Sequence, residues 1–167
     1  CGLAAAISAR RAGLDAVVFD GDCVVSSITQ YPTYATFFST AEKLSLGGLP
    51  FVTTGEKPSR RDALAYYRAV VRYFELPVRQ YEPVSRIEGQ QGAFIVRTTH
   101  RGLVRETEAR NVIIATGYWG SPNKIGVPGE DLPHVTHAYR EGHCAFQQDA
   151  VVVGGGNSAA EAALDLW

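Results

Sequence analysis

The run Val151-Val152-Val153-Gly154-Gly155-Gly156-Asn157-Ser158-Ala159 constrains this chain more than any other. An apolar strand there feeds a GxGxxA turn that opens directly into a helix. Gly154 permits the tight turn, Gly156 lets the backbone approach a ligand, and Ala159 is small enough for the helix to pack on the strand. The helix then begins at Asn157 and Ser158 with its N-terminal amides facing outward, which suits an anion such as a nucleotide pyrophosphate. The alternative is an incidental glycine turn, but strand before and helix after favour nucleotide binding.

The first residues read as the tail of a second motif of the same kind. Gly2 fits the last glycine of a GxGxxG, and Asp20 lies eighteen residues on, at the end of the strand Ala16 to Phe19. A carboxylate there can accept hydrogen bonds from ribose hydroxyls. Taken alone, an alanine-rich helix followed by a surface aspartate explains these residues equally well. Taken together, the two motifs imply two dinucleotides, one a flavin and the other its reductant.

The rest of the chain fits that scheme. A helix over Gly2 to Arg11 stops at Gly13. Ser59 and Asp62 form a capping box for a helix from about Arg60 to Phe74, where Ala63, Tyr66, Tyr67, Val70, Val71 and Phe74 keep helical spacing. Pro77 to Tyr81, Val84 to Glu88, Phe94 to Thr99 and Leu103 to Glu108 read as an antiparallel meander punctuated by glycines. Asn111 to Ala115 and Asp149 to Val153 read as fully apolar strands. Cys23 to Thr54 lacks a clear period and is expected to lie as a surface over a ligand. Pro122 to Pro133 is rich in Pro and Gly, as a hinge would be.

The expected fold class is therefore α/β: a Rossmann-like FAD-binding domain with a meander over 1–121, a hinge over 122–145, and the first βα unit of an NADPH-binding domain over 146–167. On this reading the chain is a fragment, and Ala162, Ala163, Leu166 and Trp167 are expected to expose apolar surface. Sixteen Lys and Arg against seventeen Asp and Glu give a net charge of −1, so no basic patch points to nucleic acid or an anionic membrane. The apolar runs are far shorter than the roughly 20 residues that span a bilayer. Three scattered cysteines, Cys1, Cys23 and Cys144, give no disulfide scaffold and no metal spacing, and a reducing cytoplasm is the expected setting.

Finer features narrow the family. Tyr31-Pro32-Thr33, Thr36-Phe37-Phe38-Ser39, Lys43-Leu44-Ser45, Leu49-Pro50-Phe51 and Ala115-Thr116-Gly117-Tyr118 resemble the bacillithiol disulfide reductases, a thioredoxin-reductase-like branch of the flavoprotein reductases with two dinucleotide domains. In that family a cysteine immediately precedes the last glycine of the first motif, as Cys1 precedes Gly2. The resemblance implies FAD at Gly2, Asp20, Val84, Ala115, Thr116 and Gly117, and NADPH at Gly154, Gly156, Asn157, Ser158 and Ala159. It also implies a low-molecular-weight disulfide as substrate and Cys1 as the reactive thiol. A helix N-terminus would favour the Cys1 thiolate; the alternative is that the site merely requires a small residue there. Oligomeric state stays open, with a homo-oligomer allowed.

Two departures separate this chain from relatives. The redox CxxC of thioredoxin reductases is replaced by His137, Ala138, Tyr139 and Arg140. The FxGxxxH fingerprint of flavin monooxygenases keeps His137 but has Asp131 and Pro133 in place of its Phe and Gly. A flavin monooxygenase is the second reading, and a nucleotide-binding redox module without turnover is the third.

Overall fold

The computed structural model describes residues 1–167 as a mixed α/β protein. Helix α1 (Gly2–Arg11) leads to the short strand β1 (Val18–Phe19), two single-turn helices α2 (Ser26–Thr29) and α3 (Ala41–Leu44), and the long helix α4 (Arg60–Tyr73). Strand β2 (Val78–Arg79) follows, then β3 (Val84–Gln90), β4 (Ala93–His100) and β5 (Leu103–Ala109); a 3₁₀ turn at Gly142–Ala145 and helix α5 (Asn157–Leu166) complete the chain.

Local chemistry sets the helix bounds. The capping box is complete: the Asp62 N–H donates to Ser59 Oγ at 3.2 Å, and the Ser59 N–H donates to Asp62 Oδ2 at 2.9 Å. These reciprocal bonds satisfy two donors that the first helical turn leaves without partners. Helix α1 closes where the Leu14 N–H reaches back to the Ala9 carbonyl at 2.9 Å.

One face of α4 supplies Ala63, Tyr66 and Val70 to the core, which also takes Ala6 and Ile7 of α1, Ile28 of α2, Ala41 of α3, Phe51 and Leu76. The Phe51 and Tyr66 rings stack at 4.1 Å between centroids. Tyr66 also brings a hydroxyl into this packing, and both of its bonding capacities are used: it donates to the Leu49 carbonyl at 2.8 Å and accepts from the Leu46 N–H at 2.7 Å. The segment 23–54 is thus threaded through the core by Ile28, Ala41 and Phe51, and does not lie only as a surface. Its apolar residues fall at irregular intervals because they are presented by turns, which impose no period.

The strand expectations need two corrections. Pro77 to Tyr81 does not belong to the meander: Val78 and Arg79 pair in parallel with Val18 and Phe19. The α4 crossover returns the chain in the same direction, so β1 and β2 run parallel. The meander itself is β3, β4 and β5, antiparallel in that order. Asn111 to Ala115 and Asp149 to Val153 form no ladder, and Ile113, Ile114, Val151 and Val153 are exposed. A strand exists only through hydrogen bonds to a neighbour, and neither run joins either of the two sheets.

At the C-terminal end Trp167, Leu164 and Ala163 are exposed as apolar surface and Leu166 is half-buried, but Ala162 is buried. Helix α5 packs on the 3₁₀ turn, which accounts for its having a covered face. Asp165 fastens the pair by accepting from the Gly142 N–H at 2.8 Å and from the Tyr139 hydroxyl. Burial, followed by the bond to the Asp165 carboxylate, pushes the Tyr139 hydroxyl up to about 12, so it remains a protonated donor at neutral pH.

Candidate functional site

Two groups of sequence-predicted residues are brought together. At the first, Cys1 is the N-cap of α1 and exposed, and no side chain caps the helix in its place. The first turn carries no acidic residue, so the positive end of the helix dipole is not offset by a local carboxylate. Gly2 faces the Ala115-Thr116-Gly117 turn: a Cβ added to Gly2 would lie 3.6 Å from Ala115 Cβ. Gly117 takes a φ of +77°, a conformation that glycine adopts without strain, and the space of its absent side chain opens toward Ser27 Oγ, 3.8 Å away. Although 113 residues separate Gly2 from Ala115 in sequence, they meet as neighbours.

Helix α2, which carries Ser27, is anchored from behind. The Arg60 guanidinium donates to the carbonyls of Ile28 at 3.0 Å and Thr29 at 2.6 Å, so α4 holds the C-terminal end of α2. Beyond it the Tyr31 ring lies 5.0 Å from Trp119, just past the Gly117 turn, and burial raises the Tyr31 pKa. Of the aromatic run, Tyr31 and Phe37 pack against the core whereas Tyr34 and Phe38 are exposed.

Asp20 directly follows β1, at the carboxyl end of the parallel pair where α/β folds bind ligands. Its Oδ1 accepts from the Asp22 N–H at 3.0 Å, which makes the acidic turn self-bracing. Gly21 lies against Pro83, 3.5 Å from where its Cβ would be, and so places Val84 beside the same turn. Val84 opens β3 and remains partly exposed.

The second group is at α5. A Cβ on Gly154 would lie 3.0 Å from Ala159 Cβ, closer than nearly all real contacts, so both positions must be small for the turn to close on the helix. Gly155 and Gly156 face open space. Gly156 is the N-cap, and no side chain bonds to the exposed start of the helix at Asn157 and Ser158. The second glycine turn therefore leaves open space next to helix amides, where a phosphate fits, whereas at the first Gly2 is backed by Ala115.

Cys23 is half-buried and Cys144 exposed, and no set of three or more His, Cys, Asp or Glu side chains is placed to hold a metal ion. His137 lies 3.6 Å from Glu130, whose carboxylate accepts from the Ile125 and Gly126 N–H groups and is held below its usual range by these bonds and by His137 and Lys124. No helix is long and apolar enough to cross a membrane.

Sequence reasoning missed Ser27, Trp119 and Glu82. Glu82 is a buried carboxylate joined to Thr98 of β4. The one signal for it was Thr98 alternating with Val96 on the buried face of β4, where an inward hydroxyl implies a polar partner.

The family profile of pyridine nucleotide-disulphide oxidoreductases matches residues 1–167. Bacilliredoxin reductase Bdr of Bacillus subtilis is 46% identical over 99% of this chain and 50% of its own length. The structure of bacillithiol disulfide reductase Bdr from Bacillus cereus superposes with a TM-score of 0.96 at 46% identity, covering 99% of this chain and 52% of that one. A flavin-containing monooxygenase from Stenotrophomonas maltophilia is more distant, with a TM-score of 0.65 and 30% identity over 73% of this chain and 37% of its own. The chain spans about half the length of the Bdr proteins it matches. It belongs to the pyridine nucleotide-disulphide oxidoreductase family.

Proposed function

We propose that this chain carries the flavin half, and the opening of the nicotinamide half, of an NADPH-dependent flavoprotein that reduces a low-molecular-weight disulfide of the bacillithiol type in a reducing cytoplasm. The observation that carries the reading is the convergence of Cys1, Gly2, Ala115 and Gly117 at the N-terminus of α1. Gly2, Ala115, Thr116 and Gly117 would hold FAD near its phosphates and flavin, with Asp20 and Val84 at its adenosine end. Gly154, Gly156, Asn157, Ser158 and Ala159 would hold NADPH. FAD, when bound, supplies two-electron exchange between the nicotinamide and sulfur.

Cys1 is exposed at a helix N-terminus, a setting that favours thiolate over thiol. Its Sγ attacks one sulfur of the substrate, a mixed disulfide forms, and the other half leaves as a thiolate. Two electrons and a proton then return Cys1 to the thiol and release the second half. Since the CxxC slot holds His137 to Arg140, no second cysteine at that position resolves the mixed disulfide.

The reading is tested in the full-length protein loaded with FAD, by following flavin absorbance and free thiol after NADPH and bacillithiol disulfide are added. Bleaching by NADPH, reversal by the disulfide and two thiols per NADPH are expected. NADPH consumption that requires oxygen and yields an oxygenated product would establish the monooxygenase instead. FAD binding without bleaching would establish a module without turnover.

A further inference from the structure

Glu82 is nearly the most deeply buried polar side chain of the protein, with 2% of its surface exposed, and it lies outside both glycine turns. Its Oε1 accepts from the Thr98 hydroxyl at 2.7 Å, and the guanidinium groups of Arg79 and Arg105 stand 3.7 Å from its two oxygens. A buried carboxylate is costly unless it is paired and hydrogen-bonded. Here three partners from β2, β4 and β5 hold it in one place.

Backbone and side chain of the same segment grip the Asp20 turn. The Glu82 N–H donates to the Asp20 carbonyl at 2.9 Å, the Tyr81 N–H to the Asp22 carbonyl at 3.1 Å, and the Val24 N–H to Gln80 Oε1 at 2.8 Å. Tyr81 has a φ of +55°, a strained conformation for a bulky residue that persists only where the surroundings enforce it. Fixing the Glu82 side chain in the meander enforces it on one side, and the bonds to Asp20 and Asp22 enforce it on the other.

We infer that Glu82 is a positioning residue for Asp20: the buried Glu82–Thr98 bond ties the antiparallel meander to the turn that presents the ribose-binding carboxylate. The inference rests on the proposed role of Asp20 toward FAD. In this protein the meander is the brace that holds the adenosine end of the site in register with the parallel strands. Glu82 acts on the cofactor only through the Asp20 turn, so its influence is confined to ligands that carry the adenosine.

The test uses the full-length apoprotein titrated separately with FAD and with FMN, which lacks the adenosine. Glu82→Gln, Thr98→Val and Asp20→Ala are compared singly, and each of the first two is combined with Asp20→Ala. Thr98→Val leaves the carboxylate and its arginines in place, so it serves if Glu82→Gln does not fold. Each single variant should weaken FAD about tenfold, the size of a coupling between neighbouring residues, while FMN affinity stays unchanged. In the Asp20→Ala background the Glu82 and Thr98 substitutions should have no further effect. If Asp20→Ala leaves FAD affinity unchanged, the role of Asp20 fails and the inference fails with it. If Asp20→Ala weakens FAD but the second substitutions add their full effect, or if FMN affinity falls in step with FAD, Glu82 is a stabiliser of the fold only and the positioning role is overturned.

Discussion

Tyr66 shows what a single side chain does in this protein. Its ring stacks on Phe51 and its hydroxyl bridges the Leu46 N–H and the Leu49 carbonyl, so one residue of α4 both fills the core and stitches down a loop. Tyr66→Phe keeps the stacking but leaves two backbone groups without that partner. It should cost about 1 to 2 kcal/mol in denaturant unfolding. A loss below a few tenths would mean that water replaces the hydroxyl. The sequence pattern placed Tyr66 on the buried face because burial follows helical spacing. It could not show the hydroxyl's partners, which come from a loop with no period. Glu82 was hidden for a different reason: its pairing with Thr98 joins positions sixteen residues apart.

Among the elements, those with local signals were read most closely. Helix α4 spans Arg60–Tyr73 with the capping box expected from Ser59 and Asp62, and α1 spans the expected Gly2–Arg11. Strands depend on partners elsewhere, and there the sequence was a weaker guide: Val78 and Arg79 pair in parallel with β1, and the apolar runs near Ile113 and Val152 pair with nothing in these residues. The capping box also has a pH signature. Hydrogen bonds from Ser59 lower the Asp62 pKa from its ordinary 3.8, so its folded value is depressed relative to the unfolded chain. That contribution is complete above the ordinary value and is lost as pH falls through the depressed one. Ser59→Ala should therefore cost about 1 kcal/mol at neutral pH and progressively less as the pH is taken below 3.8. A difference from the unsubstituted protein that does not change between neutral pH and that acid range would show that Asp62 contributes no charged bond to the cap.

Across the molecule, two glycine turns that we propose take the same kind of ligand are built on one chain, and the fold places different chemistry beside each. Gly154 and Ala159 pack a helix that begins in open space. Gly2 and Ala115 bring a cysteine to the head of another. The glycine turn at Gly154 and the class of fold were legible because an apolar run, glycines and a helix follow each other between Val151 and Ala159. The meeting of Gly2 with Ala115 and of Gly117 with Ser27 was not, because those pairs are joined only by the folded chain.

We propose that the sulfur chemistry belongs to Cys1 and the cofactor chemistry to the turns around it. The measurement is a rapid-mixing comparison of full-length Cys1→Ala with the unsubstituted protein, following flavin bleaching by NADPH and thiol release from the disulfide in the same reaction, with Cys23→Ala and Cys144→Ala alongside. Cys1→Ala should retain FAD and bleach at close to the normal rate but release no thiol, while the other two variants behave normally. Undiminished thiol release by Cys1→Ala, or loss of FAD in its place, would contradict it.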